Sequence, residues 1–191
     1  MSDDPIEMFR ALYEQAMQSC VEPDAMVLTT VDPNGRPSSR YVLLKAADRN
    51  GFVFYTNLTS RKAAALAAHP SAALCFYWGP MGKQVRIEGA VEPVTDGEAD
   101  AYFASRPRDS QIGAWASDQS STLESRAELN RRVEEIRARF AGGQVPRPPF
   151  WSGFRVVPDM IEFWTRDPAR LHEREHFERH GDGWRRRLLY P

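Results

Sequence analysis

Cysteine is nearly missing from this 191-residue chain, which holds only Cys20 and Cys75. Two thiols cannot form a disulfide framework, so both are expected to be free, as in a reducing compartment. Cys75 sits in a β-rich stretch and reads better as a small apolar residue than as a nucleophile. Long apolar runs are missing too. Stretches such as Tyr41-Val42-Leu43-Leu44 are far too short to span a bilayer. The opening Met1-Ser2-Asp3-Asp4 is acidic and has no apolar leader core, so a cytoplasmic protein is expected. Charge of one sign is not in excess either: 25 Lys and Arg face 26 Asp and Glu, a net charge of -1. That balance argues against a nucleic-acid or membrane partner. Any anion site must come from local clustering of cations. The chain has no G-x-G-x-x-G and no Walker loop, which removes the support for a Rossmann or P-loop reading.

What is present is a soluble one-domain composition, 42% hydrophobic and 27% charged. Asp4-Pro5-Ile6-Glu7 starts a helix: Asp4 can cap, Pro5 suits the first turn, and Glu7 can close a capping box. Phe9, Leu12, Tyr13, Ala16 and Met17 then repeat at helical spacing and predict one apolar face. Strands are predicted over 26–31, 40–45, 52–56, 71–78, 83–94, 154–157 and 160–164. Asp32-Pro33-Asn34-Gly35 and Asp48-Arg49-Asn50-Gly51 supply turns. A further hairpin is expected around Gly181-Asp182-Gly183. Helices are predicted over 60–69, 95–105 and 121–140, the last with Glu128/Arg132 and Glu135/Arg139 as i, i+4 pairs. Many short strands with interspersed helices predict a mainly β, mostly antiparallel barrel with peripheral helices.

Four groups of residues could carry chemistry. Ser60-Arg61-Lys62 puts two cations in the first turn of a helix, the wrong sign for the helix dipole unless an anion binds there. The alternative is a solvated basic turn, at a cost of roughly a few tenths of a kcal/mol. Arg40 and Lys45 are five apart, so they fall on opposite faces of an unbulged strand. Tyr102, Arg106, Arg108, Asp109 and Ser110 make a plausible phosphate clamp, or else a surface loop with an Arg–Asp pair. His172, His176 and His180 would share a face only on a helix. The adjacent Gly181-Asp182-Gly183-Trp184 turn favours a charged strand over a metal site, and no metal is expected.

Together these segments resemble the pyridoxamine 5'-phosphate oxidase family. The resemblance is carried, in family order, by Arg40-Tyr41-Val42-Leu43-Leu44-Lys45, Phe54-Tyr55-Thr56-Asn57, Ser60-Arg61-Lys62 and Lys83-Gln84-Val85-Arg86-Ile87-Glu88-Gly89. It continues through 105–115 (Ser105-Arg106-Pro107 to Trp115), Gln119-Ser120-Ser121, Phe150-Trp151-Ser152-Gly153-Phe154-Arg155 and Arg170-Leu171-His172-Glu173-Arg174. It spans nearly everything from Asp4 to Pro191. It implies one FMN-binding split β-barrel domain over 1–191. The N-terminal helix would occupy about 4–20, and a C-terminal dimerisation and active-site β segment about 150–191. It implies a homodimer with FMN at the interface. Arg61 and Lys62 would hold the FMN phosphate. Arg40, Tyr41, Val42, Leu43, Leu44, Lys45, Tyr55, Thr56, Gln84, Gln119, Ser120, Trp164 and Arg174 would complete the flavin site. Lys45, Tyr102, Arg106 and Ser110 would clamp a substrate phosphate, and Arg170 and His172 would lie over the reacting carbon as the catalytic pair. The implied reaction is hydride transfer from C4' of pyridoxine or pyridoxamine 5'-phosphate to flavin N5, with dioxygen as final acceptor. Some members carry an Arg- and Tyr-bearing arm ahead of the first helix, and this chain starts almost at that helix, so an absent or reduced lid is expected. Glu173 stands where Asp is usual. Two other readings are a related oxidase on another substrate, as in phenazine biosynthesis, and a non-catalytic FMN- or pyridoxal phosphate-binding protein. The set Lys45, Tyr102, Arg106, Ser110, Arg170 and His172 favours the first reading.

Overall fold

Asp4 caps the first helix, and that helix covers one side of a curled antiparallel sheet. The computed structural model describes residues 4–191. Met1, Ser2 and Asp3, most of the acidic opening noted above, lie outside the described residues. The Asp4 carboxylate accepts the Ile6 N–H at 2.9 Å, opening α1 (Pro5–Ser19). The Glu7 side chain pairs with Arg10. Ile6, Phe9 and Ala16 are buried, whereas Met17, expected on the apolar face, is 58% exposed. Phe9 packs edge-on to Phe52 at 4.9 Å and against Phe76 at 5.1 Å. Truncating a phenylalanine buried this way costs about 3–5 kcal/mol.

The strands are β1 (Ala25–Val31), β2 (Pro37–Leu43), β3 (Ala46–Asp48), β4 (Gly51–Asn57), β5 (Ser71–Trp78), β6 (Lys83–Pro93), β7 (Trp151–Thr165), β8 (Glu173–His180) and β9 (Gly183–Leu188). They form one sheet in the order β2-β1-β5-β6-β7-β4-β3, with β8 on β7 and β9 on β8. Every pairing is antiparallel. β2 also touches β4, so the sheet curls into a half-barrel. The core inside it is built from Leu28, Phe54, Leu74, Phe76, Ile87 and Ile161, among others.

β7 is one strand, where two were expected on either side of Pro158-Asp159. Pro158 faces Gly89 at a register shift in the β6–β7 ladder. A bulge needs no donor from that residue, so the ladder continues past a proline. A Cβ at Gly89 would lie 2.0 Å from the Val157 carbonyl oxygen, so glycine is required there.

The helices are α2 (Arg61–Ala68), α3 (Asp96–Ser105), α4 (Arg108–Ala116) and α5 (Arg126–Arg139). α3 has a full capping box between Thr95 and Glu98. α5 starts later than expected, at a Ser125 cap that accepts the Glu128 N–H. The expected Glu128/Arg132 and Glu135/Arg139 pairs do not form. Glu128 and Glu135 both pair with Arg131, Arg132 reaches Asp118, and Arg139 lies over the Trp115 ring. No helix among the described residues is long and apolar enough to cross a membrane.

Candidate functional site

The start of α2 turns one of its two cations inward. Ser60, fully buried, caps the helix by accepting the Ala63 N–H. Arg61 points to solvent, whereas Lys62 is only 9% exposed. Lys62 Nζ donates to Gln119 Oε1 at 2.7 Å, Thr56 Oγ1 at 2.9 Å and Ser60 Oγ at 3.3 Å. These acceptors are neutral, so the ammonium is solvated by oxygen dipoles and not neutralised by a carboxylate. Burial, and then the nearby Arg40 charge, push its pKa down to about 8. Arg40, half-buried, donates to Leu28 O and Thr30 Oγ1. Burial and then Arg61 hold the Arg40 guanidinium below its usual range. The three cations thus repel one another at a helix N-terminus whose first turn holds no acid. Bringing in an anion relieves both the repulsion and the dipole mismatch.

Lys62 opens into a cavity of about 490 Å³, a size suited to a ring-bearing ligand. Tyr41, Val42 and Leu43 of β2 form one wall, and Tyr55, Thr56 and Gln119 another. Leu44 packs into the core at 4% exposure. Ser120 is exposed at φ 76° in the loop after α4.

Lys45, Tyr102, Arg106 and Ser110 line the same cavity. Lys45 pairs with Asp24 at 2.9 Å. Arg106, at the end of α3, lies 4.9 Å from the Trp151 ring centroid. Its Nη1 is buried without a hydrogen-bond partner, and burial lowers its pKa. Such an orphaned donor in a cation is costly unless a ligand satisfies it. Tyr55 stacks on Tyr102 at 4.1 Å and on Trp151 at 5.3 Å, so the wall around Arg106 is a rigid aromatic stack.

The rest of the expected clamp turns away. Arg108 donates to the Phe140 and Gly143 carbonyls after α5, and Asp109 pairs with Arg137. Both are structural. Trp151, given no site role by its motif at 150–155, is buried and lines the cavity. Asn57 was missed as well. Its side chain accepts the Thr59 N–H and donates to Ser117 O, tying the α2 entry to the loop that carries Gln119. The Phe-Tyr-Thr-Asn turn into Ser60 was the available signal.

The remaining expected residues gather elsewhere. Gln84, Trp164 and Arg174 stand in one cross-strand row of β6, β7 and β8, and direct partners share a sheet face. His172 lies against Trp164 at 4.5 Å. The Asp167 N–H donates to His172 Nδ1 at 3.1 Å, which leaves Nε2 to carry the proton of the neutral ring. Arg170 is exposed with φ 64°. The Asp167 carboxylate accepts the Ala169 and Leu171 N–H groups and so holds that tight loop. None of these five is part of the cavity lining formed by the chain's own described residues. His176 and His180 lie on β8, and no three His, Cys, Asp or Glu among the described residues could share a metal ion.

Comparison with known proteins follows the same division. Residues 13–140 match the family model described as Pyridoxamine 5'-phosphate oxidase. Residues 151–191 match the one described as Pyridoxine 5'-phosphate oxidase C-terminal dimerisation region. The pyridoxine/pyridoxamine 5'-phosphate oxidase of Myxococcus xanthus strain DK1622 is 59% identical over 189 residues, 98% of this chain and 92% of that protein. The protein of the same name from Sphingopyxis alaskensis is 57% identical over 194 residues, covering 100% and 89%. The crystal structure of PhzG from Burkholderia lata 383 with tetrahydrophenazine-1-carboxylic acid superposes with a TM-score of 0.94 at 34% identity, covering 100% and 94%. A pyridoxamine 5'-phosphate oxidase-related, FMN-binding protein from Nostoc punctiforme superposes at 0.79 with 18% identity, covering both chains fully, which speaks to the fold alone.

Proposed function

The chain belongs to the pyridoxamine 5'-phosphate oxidase family, and from that premise we propose that it oxidises pyridoxine or pyridoxamine 5'-phosphate to pyridoxal 5'-phosphate with bound FMN. With O2 as acceptor the alcohol yields pyridoxal 5'-phosphate and H2O2. The amine also consumes one water and releases ammonia. The observation that carries the reading is one cavity with two carboxylate-poor cationic groups. Lys62 is held by neutral oxygens at a helix start, and Arg106 has an orphaned donor on an aromatic wall. Two phosphoryl groups, one on each ligand, match that pattern. PhzG fits the neighbouring reading of a phenazine oxidase. The 55–59% identity to B6-phosphate oxidases against 34% to PhzG favours the first.

The residues present fit FMN. Lys62 and Arg61 would hold its phosphate, with Arg40 adding charge and Thr56, Gln119 and Ser120 adding polar contacts. Tyr41, Val42, Leu43 and Tyr55 would wall the ring. FMN, when bound, supplies the redox chemistry, taking a hydride equivalent from C4' and passing both electrons to dioxygen. Lys45, Tyr102, Arg106 and Ser110 anchor the substrate phosphate, which fixes the ring far from the anchor in a productive orientation. His172, held as an Nε2–H donor, and Arg170 orient the group on C4'.

Gln84, Trp164 and Arg174 reach a flavin, and Arg170 and His172 the substrate on it, through a second copy of the chain. They lie on β6 and in the stretch matching the dimerisation region, away from their own cavity. Tyr41 and Leu43, at 76% and 44% exposure, leave an apolar strip beside the cavity for that copy to cover. The protein works as a cytoplasmic homodimer with two flavin sites.

Three measurements test this reading. The purified protein is expected to be yellow, to release FMN on denaturation and to sediment as a dimer. In an oxygen-electrode assay, pyridoxine and pyridoxamine 5'-phosphate are consumed and their unphosphorylated forms react only poorly. A colourless protein that takes up no added FMN ends the proposal.

Arg170→Gly separates strain from function. A non-glycine residue at φ 64° carries roughly 1–2 kcal/mol of strain, and glycine adds about 0.4–1 kcal/mol of unfolded-state entropy. These offset, so the variant is expected to melt within about 3 °C of the wild type. Turnover falls about tenfold or more with flavin content unchanged, the lower range for a lost charge-assisted hydrogen bond. Wild-type turnover removes Arg170 from the mechanism.

A further inference from the structure

One row beneath Gln84, Trp164 and Arg174 lies a buried ionic cluster that the reaction scheme above does not use. Arg86, Glu162 and His176 are cross-strand partners on β6, β7 and β8. They sit two residues along from the flavin-side row and therefore on the same face. At its centre the Glu162 side chain is 3% exposed. Its two oxygens take Arg174 as a fork: Nε to Oε1 at 3.0 Å and Nη2 to Oε2 at 2.9 Å. Arg86 Nη1 stands 3.6 Å and His176 Nδ1 3.8 Å from Oε2. Burial pushes the Glu162 carboxyl up, but the Arg174 bond and the charges of Arg174, Arg86 and His176 outweigh it, so the group stays below its usual range.

We propose that Glu162 is a positioning residue for FMN, clamping Arg174 in the plane and direction in which it meets the flavin. This rests on the reading of Arg174 as a flavin contact. Nη1 of Arg174 is tied as well, to the Tyr190 carbonyl at 3.0 Å. A guanidinium has five N–H groups and three are used here (five less three leaves two), so two remain for a ligand. A two-point bond fixes the plane of the fork, which a single contact cannot. Stability alone does not account for the pair, because a buried ion pair is often no better than an apolar one of the same volume. Prepaying the order of a long side chain is what such a pair adds to binding.

The test is a double-mutant cycle on FMN affinity, read by quenching of flavin fluorescence as apo-protein is added, with no turnover involved. Glu162→Gln and Arg174→Met are each expected to weaken FMN about tenfold, within the usual coupling range of contacting residues. The double variant is expected to be no weaker than Arg174→Met. A merely structural Glu162 gives instead a further loss in the Arg174→Met background, and that result overturns the proposal, as does wild-type affinity in Glu162→Gln. Should Glu162→Gln fail to fold, Glu162→Asp completes the same cycle, keeping the charge while losing one methylene of reach. Wild-type affinity in Arg174→Met removes the contact on which the clamp acts. A wild-type chain that binds no FMN sinks the proposed function itself, a separate outcome.

Discussion

Lys62→Met binds FMN about a hundredfold more weakly than the wild type and is recovered without colour, the loss expected from removing a charged donor worth about 1.5–3 kcal/mol. The lysine is buried, meets only neutral oxygens and faces the cavity, so its charge has nothing but a ligand to serve. The pH dependence follows from its pKa of about 8, set by burial and then Arg40. Below pH 8 the apo-protein already carries the charge, and affinity is flat on this account. Above it, phosphate binding must bring a proton to Lys62, so the dissociation constant climbs by up to about tenfold per pH unit. The methionine variant lacks this rise. Stability runs the other way. Between pH 8 and the ordinary lysine value near 10.4 the unfolded chain holds a proton that the folded apo chain has released, so apo-protein stability increases with pH across that window. Fluorescence titrations between pH 7 and 9.5, with thermal melts of flavin-free protein, read both effects. An affinity that ignores pH above 8 in the wild type, or survives in Lys62→Met, removes the lysine from the phosphate site.

Lys62 also marks how far the sequence could be read. Two cations after Ser60 signalled an anion at a helix start, but nothing in Ser-Arg-Lys says which one turns inward. That is decided in three dimensions, by Thr56 and Gln119 waiting on the cavity side. Strands were legible where side-chain chemistry and turns agreed. Asp32 accepts the Asn34 and Arg36 N–H groups and Gly35 takes φ 78°, as Asp-Pro-Asn-Gly promised. α4 was not legible. Arg106-Pro107-Arg108-Asp109-Ser110 reads as a polar loop, Pro107 offers no capping side chain, and Gly113 weakens the propensity. That helix stands on tertiary contacts: Gln111 bonds the Phe103 and Ala104 carbonyls and Ile112 is 1% exposed. The separation of Trp164, His172 and Arg174 from the cavity was equally hidden. Order along the chain places them in one family site, while one copy of the fold keeps them out of the cavity lining.

Arg106→Met lowers kcat/KM for pyridoxine and pyridoxamine 5'-phosphate about a hundredfold, and leaves the poor reaction of the unphosphorylated forms as it was. The first figure is the loss of a charge-assisted contact of about 2.7 kcal/mol in the transition state. The second follows because Arg106 acts only through the phosphate, so the preference for phosphorylated substrate collapses with it. No carboxylate competes for this guanidinium. Its Nη1 has no hydrogen-bond partner, and its plane rests on the Trp151 face, where water cannot replace an anion cheaply. Arg106→Lys keeps the charge but not the fork, and falls between the two at about a tenfold loss. Flavin content is the internal control and stays at the wild-type level in both variants, since the proposed seat of the flavin phosphate is Lys62 with Arg61, not Arg106. Steady-state rates with each substrate and its dephosphorylated form decide the matter. A variant that is slow on every substrate alike, or that keeps the wild-type preference, places the substrate phosphate elsewhere.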